Sequence, residues 1–101
     1  MLLMNLQEVS QALSNPTRVN LIEMIGEQPL SASIAHKKYI ETYEDKKRES
    51  IYRELENLVD ASLVTKKYNT EEKKIEYSLT QEYLGIDLVE TRIEPIDGAE
   101  L

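Results

Sequence analysis

Apolar positions follow helical spacing through the first sixty residues and then change to alternation. Leu2, Leu6, Val9 and Leu13 share one helical face, with Gln7, Glu8, Ser10 and Gln11 between them. Ser14-Asn15-Pro16 ends that helix and opens the next. Asn15 can cap, and Pro16 suits a first helical turn, where its missing N–H is no loss. Val19, Ile22 and Ile25, thickened by Leu21, form the stripe of a second helix. Gly26 is its expected stop, followed soon by Pro29. Ser31 or Ser33 caps a third helix through Ile34, Ala35, Tyr39 and Ile40. The polar run from Thr42 to Lys47 reads as a turn, with Asp45 as the cap of a fourth helix. In that helix Ile51, Leu55, Leu58 and Ser62 stand four, three and four apart, which predicts one buried face. Arg48, Glu49, Tyr52, Arg53 and Glu56 fall on the others.

At Leu63 the pattern changes. Leu63-Val64-Thr65-Lys66-Lys67-Tyr68 reads as a strand, Asn69-Thr70-Glu71-Glu72 as a turn, and Ile75-Glu76-Tyr77-Ser78-Leu79 alternates with period two. This predicts a β-hairpin, which must pack on the helices because a lone hairpin is unstable. The segment 81–95 stays open between two readings. Tyr83, Leu84, Leu88 and Val89 suit a helix, weakened by Gly85, whereas Val89, Thr91 and Ile93 suit a strand. Pro95 and Gly98 end either one. The expected fold class is α+β, mainly α: three to four helices followed by a two-stranded hairpin, the order of a winged helix-turn-helix. Residues 1–80 form that domain. Residues 81–101 are read as a tail, a candidate dimerisation element followed by a disordered end.

Composition narrows the function. With 101 residues the prior is one domain with a modest core. The absence of Cys removes disulfides, thiolate zinc sites and thiol catalysis together, and an unstapled domain of this size favours a cytoplasmic home. No run reaches the length of a membrane span, so no membrane partner is expected. The three glycines, at 26, 85 and 98, build no phosphate-cradling loop. No nucleophile stands beside a base and no acids pair in a predicted pocket, so the chain is not read as an enzyme.

The formal charge of −7 argues against nucleic acid as a whole but not by segment. Ten of the twelve cations fall between Lys37 and Lys74, and residues 36–53 carry a net +2. Residues 81–101 carry −5. A local positive field can attract phosphate even on an acidic protein.

Two segments carry a family resemblance. The run ALSNPTRVNLIEMI, residues 12–25, resembles the opening of ArsR-type repressors, in which Ala-Leu-x-x-Pro-Thr-Arg leads into the second helix. The run SIYRELENLVDASLV, residues 50–64, resembles the recognition helix and first wing strand of many winged-helix regulators, which tend to have Gly where Ser62 stands. Tyr52, three residues before Leu55 and behind a longer turn, is similar to the PadR-like branch. The resemblance spans roughly residues 6–80. It implies a transcriptional regulator that binds double-stranded DNA, with a recognition helix at about 46–61 and a wing at about 63–79. A homodimer is expected because one winged helix reads only a short site and two half-sites raise affinity and specificity. Many ArsR-type proteins sense metals through Cys and His. This chain has no Cys and only His36, so metal sensing does not carry over and no cofactor is expected.

The DNA-binding candidates are Lys46, Lys47, Arg48, Ser50, Tyr52 and Arg53 on the fourth helix, and Lys66, Lys67, Lys73 and Lys74 on the hairpin. Cations at a helix N-terminus oppose the helix dipole, so a purely structural helix would sooner start with acids. Against that stands a plain solvated charge run, and for the hairpin lysines an edge guarded against aggregation. Tyr52 divides evenly between the groove and packing on the preceding helix. Glu49 and Glu54 repel phosphate unless they pair with Lys46 or Arg53. His36 is expected on the surface or half-buried rather than as a ligand, and Asp87, Glu90, Glu94 and Asp97 as a solvated tail. The candidate dimer interface is Leu2, Leu3, Leu6, Leu84, Leu88 and Val89. The rival function is a winged-helix protein–protein interaction module without DNA binding, which the net charge and the glutamates would suit.

Overall fold

A computed structural model of the chain describes residues 4–100, so Leu2 and Leu3 of the expected dimer surface lie outside the described residues. Four helices come first: α1 Leu6–Leu13, α2 Pro16–Glu27, α3 Ala32–Thr42 and α4 Arg48–Asp60. The strands are β1 Leu30–Ser31, β2 Val64–Asn69, β3 Lys74–Leu79, β4 Leu84–Asp87 and β5 Arg92–Pro95, and a short 3-10 turn follows at Gly98–Glu100. The order is that of a winged helix-turn-helix, with α3 and α4 as the helix pair and β2–β3 as the wing.

Capping fixes the first three helix starts. Asn5 Oδ1 accepts from Glu8 N–H, Asn15 Oδ1 from Arg18 N–H and Ser31 Oγ from Ile34 N–H, with Pro16 in the first turn of α2. Two expectations about α2 need correction. Its buried residues are Leu21, Met24 and Ile25, while Val19 is exposed and Ile22 lies at the margin. The stripe is centred on Leu21 because the helix is enclosed by α3, α4 and β3 on that side. Gly26 lies within the helix, which ends when Gln28 turns extended ahead of Pro29.

Asp45 does not cap α4. The N-cap is Lys47, which makes no side-chain cap bond. The preceding turn is instead held from behind, because His36 Nε2 donates to the Lys46 carbonyl at 2.9 Å. This tie lets the helix begin only at Arg48 and leaves His36 half-buried. Ile51, Leu55 and Leu58 are fully buried as expected, but Ser62 is not part of their helix. The helix ends at Asp60. Ser62 N–H then reaches Val59 O, and Leu63 N–H reaches Leu58 O, with Ser62 in the left-handed region at φ 65°. This is a Schellman closure, and it explains why glycine would suit position 62.

The wing hairpin pairs in continuous antiparallel register from Val64↔Leu79 to Asn69↔Lys74. On its other edge β3 takes the two residues of β1, with Leu30 opposite Tyr77, so the sheet order is β1-β3-β2. The open reading of the tail resolves as a second hairpin, β4 and β5, from Leu84↔Pro95 to Asp87↔Arg92. Of the strand reading only Ile93 holds, since Val89 and Thr91 lie in the turn, and Leu84 of the helix reading is in β4. The hairpin's Ile93 joins the buried core cluster, and Leu84 packs against the same cluster.

Candidate nucleic-acid interface

Helix α4 and the wing are fastened to each other by one carboxylate. Glu56 Oε2 accepts from the buried Tyr77 hydroxyl at 2.7 Å, and its Oε1 accepts from Lys66 Nζ at 2.9 Å. The bond to Lys66 first, then that to Tyr77, holds the Glu56 pKa below the ordinary 4.5. Burial first, then the Glu56 carboxylate, raises the Tyr77 pKa, so the phenol stays protonated as the donor. Helical spacing places Glu49, Tyr52 and Arg53 on the same side of α4 as Glu56. Tyr52 is half-buried there, close enough to Tyr77 to add to the rise of its pKa.

Glu54 points the other way. It accepts from Arg18 Nη1 at 3.2 Å and from Asn57 Nδ2 at 2.7 Å, while Arg18 Nε donates to the Ala12 carbonyl at 3.0 Å. The expected pairing of Glu54 with Arg53 or Lys46 is therefore replaced by a mostly buried tie between α1, α2 and α4. Arg18, the last residue of the Pro-Thr-Arg run, is structural. Two further tyrosines close the α2–α3 contact. Buried Tyr39 accepts from Asn20 Nδ2, and Tyr43 donates to Glu23 at 3.2 Å. Burial first, then Glu23, raises the Tyr43 pKa.

The remaining candidates sort by exposure and partner. Lys47, Arg48 and Arg53 are exposed at the start and along the outer side of α4, and Ser50 is half-buried. Lys46 is half-buried, with its ammonium 3.6 Å from Glu44. On the wing, Lys66 is engaged by Glu56, Lys67 and Lys73 are exposed, and Lys74 is half-buried. Among the described residues, Lys47, Arg48, Arg53, Lys67, Lys73 and Lys74 have no carboxylate within ion-pair distance. The wing tip is internally bonded: Asn69 Oδ1 accepts from Glu71 and Glu72 N–H, each at 3.0 Å, and Lys73 is left-handed at φ 54°.

The dimer candidates divide in two. Leu6 and Leu84 are partly buried against the chain's own core, whereas Leu88 and Val89 are 78% and 89% exposed at the tip of the second hairpin. A shallow depression brings Thr91 of that tip beside Met4, Asn5, Leu6 and Gln7 at the start of α1. No group of three or more His, Cys, Asp or Glu side chains suited to a metal occurs among the described residues. No helix among them is long and apolar enough to cross a membrane.

The sequence reading missed Glu56, Tyr77 and Arg18 as organising residues. A signal existed for the first: Glu56 lies three residues after Arg53 and seven after Glu49, on the side facing the predicted wing. No family model and no curated protein matches the chain. Solved structures do. An ArsR-like transcriptional regulator from Rhodococcus sp. RHA1 is 27% identical over 73% of this chain, with a TM-score of 0.60. The match covers 63% of that regulator, so this chain spans less than two thirds of its length. The ferric uptake regulator of Vibrio cholerae superposes over 93% of this chain and 78% of its own, with 24% identity and a TM-score of 0.61. That of Pseudomonas aeruginosa, solved with manganese, gives 22% identity, 93% and 75% coverage and a TM-score of 0.60. These likenesses establish the winged-helix fold.

Proposed function

We propose that the chain is a sequence-specific regulator of transcription that binds double-stranded DNA, with α4 in the major groove and the β2–β3 wing on the backbone or minor groove. One observation carries this reading. Two acids of α4 are engaged by the chain itself, Glu54 by Arg18 and Glu56 by Tyr77 and Lys66, while Glu49 and Asp60 stay exposed. Lys47, Arg48, Arg53, Lys67, Lys73 and Lys74 remain without partners among the described residues. Lys47 and Arg48 meet phosphate at the helix start, Arg53 reads a base edge, and the wing lysines follow the neighbouring strand. The likeness to a Rhodococcus protein described as a transcriptional regulator supports the same reading. The longer turn ahead of α4 keeps the PadR-like comparison within it.

The reading includes a cytoplasmic homodimer, because one winged helix covers a short site and two half-sites raise affinity and specificity together. The exposed Leu88 and Val89 at the tip of the second hairpin form the proposed contact. Leu88→Asp should then give monomers by light scattering, and an unchanged dimer would remove this surface from consideration.

Fluorescence anisotropy against a duplex from upstream of the protein's own gene, beside a scrambled duplex across a salt series, tests the main claim. Tighter binding to the upstream duplex, weakening steeply with salt, is the expected result. Binding to neither duplex at low salt would favour a protein-contact module.

A further inference from the structure

The two faces of the wing differ in a way that its lysines do not explain. Side chains alternate across a hairpin, so Val64, Lys66 and Tyr68 share one face with their partners Leu79, Tyr77 and Ile75. At its base this face is core: Val64 is buried, and Tyr77 is bonded to Glu56 of α4. Two pairs further out, about 13 Å beyond Val64 at the usual strand rise, the helices no longer cover it. There Tyr68 and Ile75 stand directly opposite each other, 60% and 50% exposed. The outer face carries Lys67 opposite Glu76 and Asn69 opposite Lys74, and Lys73 sits in the turn.

A directly opposed aromatic and β-branched pair steadies a hairpin only modestly, and apolar side chains on a protruding edge invite aggregation. The bonded tip, with Asn69 Oδ1 accepting from two N–H groups, presents the pair in a fixed position. Lys73 at the tip, beside Glu71 and Glu72, and Lys67 and Lys74 on the outer face flank the apolar inner face, an arrangement that suits the minor groove. Its walls are sugar and phosphate, and proteins that bind it use apolar side chains, isoleucine among them, as wedges at base steps. The Tyr68 hydroxyl can also donate to the adenine N3 and thymine O2 acceptors of that groove.

We infer that the Tyr68–Ile75 pair is the wing's contact with the minor groove of duplex DNA, lying against the sugars between phosphates held by Lys67, Lys73 and Lys74. This rests on the DNA-binding reading above and adds a contact that is apolar and independent of salt. The pair contributes affinity by burial, and the lysines contribute it by counterion release.

The test uses a short duplex that the wild-type protein enriches from a random-sequence pool, titrated across a salt series. Tyr68→Ser with Ile75→Ser should weaken binding roughly tenfold or more while leaving the slope of log affinity against log salt unchanged. Ile75→Val alone should keep most of the affinity. Lys67→Gln with Lys74→Gln should instead flatten the slope, by about 0.9 for each phosphate no longer neutralised. A minor-groove dye should lower wild-type affinity more than that of the double serine variant. Thermal melting of each variant confirms folding, which the exposure of both side chains favours. Wild-type affinity in the double serine variant would overturn the inference and leave the DNA reading standing. So would a changed slope. Loss of self-association in that variant with DNA binding intact would reassign the pair to a second copy of the chain. Failure of the wild type to enrich any duplex would overturn both readings.

Discussion

The two hairpins turn in the same way. Asn69 Oδ1 accepts from the N–H groups two and three residues on, and Asp87 Oδ1 does the same with Val89 and Glu90, at 3.0 and 3.1 Å. Four residues after each Asx, the chain passes through a left-handed residue, Lys73 at φ 54° and Thr91 at φ 52°. Each loop closes on a paired residue, Lys74 or Arg92. Their surroundings separate them. The wing is six residue pairs long, shares its β3 strand with β1 and is bonded through Tyr77 and Lys66 to α4. The second hairpin is four pairs long, reaches the core through Ile93 and Leu84, and ends in an exposed Leu88-Val89 tip among acidic residues. One turn chemistry thus supports two hairpins whose exposed side chains differ: lysines with the Tyr68–Ile75 pair on one, Leu88 and Val89 beside acids on the other.

The largest test of this contrast lies in the anchors. Tyr77→Ala should lower global stability by about 3–5 kcal/mol, because it empties a core site and leaves Glu56 without its buried donor. Ile93→Ala should cost about 2 kcal/mol and act locally. Denaturant titration with hydrogen exchange checks both: exchange should accelerate throughout in the first variant and mainly in β4–β5 in the second. Equal and global acceleration would mean that the two hairpins are one cooperative unit.

Charge removal comes next. Replacing Lys67, Lys73 and Lys74 with Gln should flatten the salt dependence of duplex binding by roughly 0.9 per phosphate released. Replacing Glu90 and Glu94 with Gln should leave that slope unchanged. Equal effects would erase the assignment of the wing to DNA.

The shared turn predicts shared behaviour. Lys73→Gly and Thr91→Gly should each stabilise by about 0.5–1 kcal/mol, since a left-handed non-glycine residue is strained and glycine is not. Ser62→Gly at the end of α4 should do the same. Thermal melts of the three variants would expose any difference between the turns.

The smallest expected effect concerns the bond that the second hairpin lacks. Glu56→Gln should cost less than about 1 kcal/mol, because the pair with Lys66 is partly exposed and screened. The Glu56 pKa is lowered on folding, so its contribution is complete above the ordinary value of 4.5 and is lost as pH falls through the lower folded value. The stability difference between wild type and the Gln variant should therefore vanish in acid. A difference that persisted there would mean that the carboxylate charge plays no part.

Local chemistry was legible in the sequence wherever neighbours along the chain settle it. Asn15 caps the helix it precedes, and one of the two serines offered for the third helix, Ser31, caps it. The spacing of Ile51, Leu55 and Leu58 gives the buried face of α4, and the alternation after Leu63 gives the wing. The Asn69 turn had its copy at Asp87 to Thr91, yet the four-residue strands around that copy are too short for periodicity to separate strand from helix. What only the tertiary structure decided depends on partners far apart in sequence. Lys47 rather than Asp45 begins α4 because His36 holds the preceding carbonyl, ten residues back. Leu30 and Ser31 become a strand because Tyr77 and Glu76 lie beside them. Arg18 finds Glu54, and Glu56 finds Tyr77 and Lys66, thirty-six, twenty-one and ten residues apart. Periodicity reports which face of an element is buried. Only packing decides which polar groups on that face find one another, and with them which charges remain free for a partner.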